Sequence, residues 1–130
     1  MNEWALNGPD GHIDSLVEEI IISFVKKKKP IVGLCMGPTV IAQALKNTLD
    51  NLELTIGTTA KESPYDINTI SEGLKSIGVT PIEKDITEIH VDPINRVISA
   101  PCYMMQAGAY EVRLNAKQAI DKLIYLIKND

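Results

Sequence analysis

The chain is poor in aromatic residues, has only two cysteines and shows no excess of basic charge. Aromatic residues make up 5% of its 130 residues, and 13 lysines and arginines stand against 17 aspartates and glutamates, for a formal net charge of -4. An acidic chain without a basic stripe interleaved with aromatics is not expected to bind nucleic acid. Two cysteines cannot build a disulfide scaffold, and no apolar run is long enough to predict a transmembrane segment.

The first residues also lack the basic and apolar regions of a secretory signal. We therefore expect a protein that is not secreted and that works in a reducing compartment. Apolar residues account for 45% of the sequence, which is a normal fraction for a chain with a folded core. Since neither an internal repeat nor a flexible linker divides the sequence, a single domain over residues 1–130 is predicted.

Apolar periodicity and turn residues predict alternating helices and strands, which is typical of an α/β fold with a largely parallel sheet. Ser15-Leu-Val-Glu18 resembles a capping box that opens a helix, and Pro30 ends that helix. The apolar run Ile31–Leu34 predicts a strand buried on both faces. The other predicted elements are a strand remnant at 4–6, a helix after Pro38, a strand at 52–56, a helix capped by Asp66 and closed by Gly78, strands at 86–91 and 96–100 joined by a hairpin turn, and a helix within 107–128. The apolar stripe of this last helix is predicted to face a core with Val112, Ala116, Ala119, Ile120, Leu123 and Ile127.

Cys35 follows the predicted strand Ile31–Leu34 and precedes a helix whose first turn holds Pro38. This strand-turn-helix layout is typical of a nucleophile elbow. A helix N-terminus favours the thiolate form of a cysteine, and the N–H of Met36 would point toward an oxyanion formed at the sulfur. The alternative is that Cys35 is a small buried hydrophobic residue, since free cysteine is among the most buried residue types.

The motif Cys35-Met-Gly-Pro38-Thr39 on such an elbow resembles the DJ-1/PfpI superfamily, which has the fold type of the class I glutamine amidotransferases. Further motifs, in the same order along the chain, resemble the ES1/ElbB branch, known in bacteria as enhancing lycopene biosynthesis protein 2. The resemblance covers nearly the whole chain from about residue 6. The additional motifs are Lys29-Pro30, Leu54-Thr-Ile-Gly57, Ser63-Pro-Tyr65, Leu74-Lys-Ser-Ile-Gly78, Glu88-Ile-His-Val-Asp92, Asn95-Arg-Val-Ile and Ala100-Pro-Cys-Tyr-Met104.

The resemblance implies a flavodoxin-like three-layer sandwich with a mostly parallel sheet. It also implies that the opening strands of the family, and the glutamate beside its cysteine, lie in an N-terminal segment without a counterpart in residues 1–130. An incomplete parallel sheet leaves backbone donors and acceptors unpaired. We therefore expect another protein chain, in a homo- or hetero-oligomer, to complete or cover the sheet.

The resemblance further assigns roles to individual residues. Cys35 matches the family's nucleophile or redox centre, and Gly8 falls at a turn that closes the oxyanion hole opposite Met36. Met36 departs from peptidase-like relatives, which have a histidine there. Asn7, Pro101 and Tyr103 are possible pocket residues, and His12 is a further one if the Asn7-Gly8 loop packs against the elbow.

Cys102 lies in the segment that the resemblance brings near the elbow, so a reversible disulfide with Cys35 is one prediction and an unrelated buried thiol is the other. His90 alternates with apolar residues along a predicted strand, which favours a solvated or hydrogen-bonded histidine over a catalytic one. The cysteines and histidines have no spacing typical of a zinc site. No metal and no cofactor are expected.

Three functions stay open. The first is a catalytically impaired relative that acts as an accessory or structural subunit of a larger assembly. The second, implied by the resemblance, is a cofactor-free, glyoxalase-like lyase that converts α-oxoaldehydes to hydroxy acids through a Cys35 thiolate, with its acidic residue supplied by another segment. The third is a redox sensor at Cys35. The resemblance implies a mitochondrial or cytoplasmic location.

Overall fold

The computed structural model describes residues 3–129, which form a mixed α/β fold. The helices are α1 (Trp4–Asn7), α2 (Ser15–Lys26), α3 (Gly37–Leu45), α4 (Ile67–Ser76) and α5 (Ala109–Lys128), and short 3-10 turns cover Gly8–Asp10 and Cys102–Met104. The strands are β1 (Ile31–Leu34), β2 (Leu52–Gly57), β3 (Val79–Glu83), β4 (His90–Asp92) and β5 (Val97–Ala100). No helix among the described residues is long and apolar enough to cross a bilayer.

The strands pair mostly in parallel, which confirms the predicted fold class. β1 pairs with β5 in parallel, from Ile31 opposite Val97 to Leu34 opposite Ala100. β5 also pairs with β4 as the predicted antiparallel hairpin, and β2 pairs with β3 in parallel. The N–H of Thr55 donates to Ser99 Oγ at 2.9 Å and so joins β2 to β5. The order β1-β5-β4 leaves β1 at one edge of its sheet within the described part of the chain.

Alternation along β1 and β5 separates two apolar clusters, one on each face of the sheet. Val32 and Leu34 contact the cluster that includes Ala119 of α5. Ile31 contacts the other cluster, to which α2, α3, α4 and β2 contribute. The sheet β1-β5-β4 is therefore covered by α5 on one face and by the remaining elements on the other, and Cys35 contacts both clusters.

Local sequence signals account for several element boundaries. Asp66 caps α4, since its carboxylate accepts the N–H of Thr69 at 3.0 Å. Gly78 has a φ of +86°, a left-handed conformation that suits glycine after a helix. The predicted capping box at Ser15 is wrong, because Asp14 is the N-cap and its carboxylate accepts the N–H groups of Leu16 and Val17.

Other sequence predictions are corrected by the structure. Residues 4–7 form a helix and not a strand remnant. β3 is a strand that the sequence reading missed, whereas β4 begins only at His90, so residues 86–89 are not strand. β1 is buried only at Gly33, and its other residues are half-buried. On α5, Ile120 and Ile127 are 42% and 57% exposed, so neither faces a core formed by the described residues.

Candidate functional site

Cys35 lies at the sharp turn between β1 and α3, so the predicted strand-turn-helix layout is confirmed. Its φ of +58° is in the left-handed region, which residues other than glycine seldom adopt. The N–H of Cys35 donates to the Ala100 carbonyl at 3.0 Å and so continues the ladder between β1 and β5. The Cys35 side chain is half-buried, so its exposure is intermediate between that of a buried structural thiol and that of a solvent-exposed thiol.

Gly33 allows α3 to pack closely against the strand that carries the cysteine. A Cβ atom at Gly33 would lie 2.8 Å from Ile41 Cδ1 and 3.0 Å from the backbone nitrogen of Pro38. Because Pro38 is in the first turn of α3, any side chain at residue 33 would push the helix N-terminus away from β1. The position of the α3 N-terminus relative to Cys35 thus depends on residue 33 being glycine.

An apolar cavity of about 400 Å³ lies beside the elbow. The described residues that line it include Met36 but not Cys35, and the others are Trp4, Ala5, Gly8, Pro9, Tyr65, Asp66, Thr69 and Ile70. The Met36 carbonyl accepts the N–H and the hydroxyl of Thr39, at 3.0 and 2.7 Å. Its N–H has no acceptor among the described residues, which leaves it available to an anion.

The structure places Gly8 at this cavity but gives its N–H another acceptor. The Gly8 N–H donates to the Trp4 carbonyl, so in this conformation it is not a free oxyanion donor. Asn7 is exposed, and its side chain donates to Glu3 Oε2 at 3.2 Å. Gln43 of α3 donates to the carbonyls of Gly8 and Gly11, at 3.2 and 3.0 Å, and thereby fixes this segment beside the elbow helix.

The segment after β5 brings Cys102 to the elbow. Cys102 is 3% exposed and has a φ of +48°, and its N–H donates to Asn115 Oδ1 at 2.9 Å. Burial raises the pKa of the Cys102 thiol, the nearby Cys35 raises it further, and the Cys35 N–H acts in the opposite direction. Pro101 is buried beside it, whereas Tyr103 is 50% exposed.

The two histidines lie away from this site. His12 is exposed and lines a separate cavity of about 280 Å³ with Glu18 and Lys46. His90 Nε2 lies 2.8 Å from Glu53 Oε2, which confirms the hydrogen-bonded interpretation. The part of the chain covered by residues 3–129 has no group of three or more histidine, cysteine, aspartate or glutamate side chains that could hold a metal ion.

Two buried polar residues, Asn115 and Asp92, were not predicted from the sequence to have a structural role. Asn115 of α5 accepts from Cys102 and donates to the Glu88 carbonyl at 2.8 Å, so it fixes the Cys102 turn. Burial raises the pKa of Asp92, but bonds from the N–H groups of Asn95, Glu53 and Ile94 and from the Asn95 side chain outweigh it and leave that pKa lowered. The only signal for Asn115 was a polar residue within an apolar stripe.

Comparison with known proteins supports the resemblance seen in the motifs. The chain is 27% identical over 129 residues to "ES1 protein homolog, mitochondrial" of Rattus norvegicus, and 26% identical over the same length to "Glutamine amidotransferase-like class 1 domain-containing protein 3, mitochondrial" of Homo sapiens. Each alignment covers 97% of this chain and 46% of the relative. The chain therefore spans about half the length of the curated relatives that it matches. No protein-family model matches it.

A solved structure is similar in fold. The crystal structure of an isoprenoid biosynthesis protein with amidotransferase-like domain from Ehrlichia chaffeensis superposes with a TM-score of 0.78 and 20% identity. The match covers 96% of this chain and 52% of that one. The resemblance to the ES1 branch of the DJ-1/PfpI superfamily, and the amidotransferase-like α/β fold, are confirmed.

Proposed function

We propose that this ES1-like chain acts as an accessory subunit of a larger assembly, in which a β-strand from a different polypeptide completes its sheet at β1. The observation that carries the proposal is the free backbone edge of β1. Among residues 3–129, β1 pairs with β5 on one side and with no strand on the other. A four-residue apolar strand in this position is an exposed template for pairing.

The backbone geometry identifies the groups that a partner strand would bind. The N–H groups of Ile31 and Cys35 donate to carbonyls on the β5 side, both at 3.0 Å. Because hydrogen-bonding groups alternate along a strand, the N–H and C=O groups of Val32 and Leu34 point away from β5. A strand added there would lie about 4.8 Å beyond β1 and would satisfy these groups.

One side of α5 is an exposed apolar stripe that lies next to the edge of β1 that is unpaired within residues 3–129. Ile120, Ile124 and Ile127 are 42%, 44% and 57% exposed and lie on one side of the helix. On the opposite side, Asn115 and Gln118 bond to the carbonyls of Glu88 and Thr87, just before β4. The isoleucine stripe therefore lies on the side of α5 away from β4, which is the side of the free β1 edge.

A second apolar stripe is exposed on the other face of the sheet. Leu16, Ile20 and Phe24 of α2 follow one another at four-residue spacing and are 62%, 50% and 40% exposed. An added strand with apolar side chains on both faces would pack against helices on both sides of the sheet. The curated relatives carry more than half of their length outside the matched region, and we take the occupant to be a strand that resembles a segment of that region.

The test measures the mass of the full-length protein isolated under native conditions from cells that make it naturally. We expect a complex containing a second polypeptide, and we expect Ile120→Glu to release that polypeptide. Ile94→Glu is the matched control, because Ile94 is 76% exposed in the β4–β5 turn, at the far edge of the sheet. A stable monomer or a homo-oligomer would overturn the proposal, as would equal retention of the partner by both variants.

A second candidate is a cofactor-free, glyoxalase-like lyase, favoured by the left-handed elbow at Cys35 and the free Met36 N–H. A Cys35 thiolate would add to the aldehyde carbon of methylglyoxal to give a hemithioacetal. A base would move the C1 proton to C2 and leave a lactoyl thioester, and water would release lactate and restore the thiol. In this proposal the base is an acidic residue supplied from outside residues 3–129, as the resemblance to the family implies.

This second function predicts lactate formation by the native assembly. We expect Cys35→Ala to abolish turnover, while Ile94→Ala, far from the elbow, retains it. Lactate formation that is equal in the wild type and in Cys35→Ala would exclude the reaction.

We further propose a mitochondrial location, supported by the names of the relatives from rat, human and Danio rerio. Fractionation of cells that make the protein naturally tests this. Recovery of the protein in the mitochondrial fraction is expected, and recovery with the cytosol would contradict it.

A further inference from the structure

Cys35 and Cys102 meet at the ends of two paired strands. Cys35 follows Leu34 of β1 directly, and Cys102 follows Ala100 of β5 by two residues. The Cys35 N–H donates to the Ala100 carbonyl at 3.0 Å, which fixes the two chain segments against each other. Both side chains pack in the same apolar cluster beneath α5.

Both cysteines turn sharply out of their strands. Each has a positive φ, +58° for Cys35 and +48° for Cys102. The turn at Cys102 brings its sulfur to the backbone N–H of Cys35, close enough for the two groups to interact. The Cys35 thiol also interacts with the Cys102 thiol, whose pKa it raises, so the two side chains are neighbours in this cluster. The described part of the chain contains no disulfide, and both thiols are free.

We propose that Cys35 and Cys102 form a reversible intramolecular disulfide when a hydroperoxide oxidises the protein. In the first step, the Cys35 thiol attacks one peroxide oxygen, the O–O bond breaks, and Cys35 sulfenic acid and one water form. In the second step, the Cys102 thiol attacks the Cys35 sulfur, the S–O bond breaks, and the disulfide and a second water form. Two thiols lose two electrons in all, and one hydrogen peroxide is reduced to two waters.

The exposures of the two thiols determine which one reacts first. Cys35 is half-buried and therefore accessible to a small oxidant, whereas Cys102 is 3% exposed and is shielded from it. Cys102 is thus the resolving residue, which protects Cys35 from further, irreversible oxidation. Because burial raises the pKa of Cys102, its thiolate is scarce at neutral pH. The second step is therefore expected to speed up with pH, about tenfold per unit below that pKa.

The experiment treats the native, full-length protein with hydrogen peroxide and follows its mass, with peptide mapping under non-reducing conditions. We expect the loss of two hydrogens, a Cys35–Cys102 cross-linked peptide, and complete reversal by dithiothreitol. In Cys102→Ala we expect Cys35 to gain one oxygen atom and then more, in a product that dithiothreitol no longer fully reverses. In Cys35→Ala we expect Cys102 to remain a thiol at the same peroxide dose.

Oxygen addition at Cys35 of the wild type without a cross-link would overturn the proposal, as would equal oxidation of Cys102 in the absence of Cys35. Either result can be read on unfolded peptides after the reaction, so a modest loss of stability in a variant does not obscure it. The inference is independent of the partner strand proposed above, since both cysteines belong to this chain.

Discussion

Two glycines four residues apart at the elbow are predicted to respond oppositely to alanine. A Cβ atom at Gly33 would meet the side chain of Ile41 at 2.8 Å and the backbone nitrogen of Pro38 at 3.0 Å. The Ile41 methyl group can move, but the Pro38 nitrogen belongs to the first turn of α3 and moves only with the helix. A Cβ atom at Gly37 meets no other atom within 4 Å.

The expected free-energy changes follow from these contacts. Gly33→Ala overpacks a tight interface, which typically lowers the free energy of unfolding by about 1–3 kcal/mol. Gly37→Ala reduces the conformational entropy of the unfolded chain and is expected to raise that free energy by about 0.4–1 kcal/mol. At about 4 °C per kcal/mol for a domain of this size, the melting temperatures of the two variants should differ by roughly 6 to 16 °C.

Urea and thermal unfolding of the native assembly, followed by circular dichroism, measure this difference. The rate at which Cys35 reacts with a thiol reagent gives a second, local measurement, and we expect it to rise in Gly33→Ala because α3 is displaced from β1. The reasoning is refuted if the two variants are equally stable, since α3 would then not be held against β1 at the distance that the structure shows.

Three further predictions concern buried polar groups and the cysteines. Asn115→Ala should lower the free energy of unfolding by about 1–3 kcal/mol, measured by urea titration, because the Cys102 N–H and the Glu88 carbonyl lose their partner. Because the fold lowers the pKa of Asp92, its carboxylate stabilises the protein at pH values above the unfolded pKa of about 3.9, and this stabilisation is lost as the pH falls through the lowered pKa of the folded state. The free energy of unfolding of Asp92→Asn should therefore fall less steeply with acid than that of the wild type. Parallel curves for the two proteins would contradict this prediction. Oxidising Cys35 and Cys102 to a disulfide should stabilise the chain by about 4 kcal/mol, less any strain, and an unchanged melting temperature would argue against it.

Elements with strong local signals could be predicted from the sequence, and elements that depend on distant contacts could not. Asp66 caps α4 as expected, because the signal lies within the helix itself. β3 was missed because it contains Pro81, and proline argues against a strand unless the strand lies at an edge, as β3 does beside β2. α1 reads as apolar and extended, but it forms a short helix whose Trp4 ring packs against Gly73 of α4.

The candidate site likewise has features that local sequence signals predict and features that depend on distant contacts. The elbow at Cys35 was predictable because a strand, a turn and a helix start follow one another in sequence. The occupied N–H of Gly8 was not, since it depends on α1 forming a helix. Gln43 reaches the carbonyls of Gly8 and Gly11 across more than 30 positions, a contact that no local pattern indicates.

One physical cause would account for two of the wrong predictions. Periodicity assigned Ile120 and Ile127 to a core-facing stripe, and composition assigned β1 to a strand buried on both faces, yet the isoleucines are exposed and β1 is half-buried. A hydrophobic face predicted from sequence can be buried either against the core of its own chain or against another chain in a complex. These positions are not scattered, because among residues 3–129 the exposed isoleucines of α5 lie toward the β1 edge of the sheet β1-β5-β4, where β1 has no second partner strand. This clustering favours a covering protein segment that is absent from residues 3–129 over a chance error in the predicted buried faces. Chance errors would not fall together at the strand edge whose backbone N–H and C=O groups also lack partners within these residues.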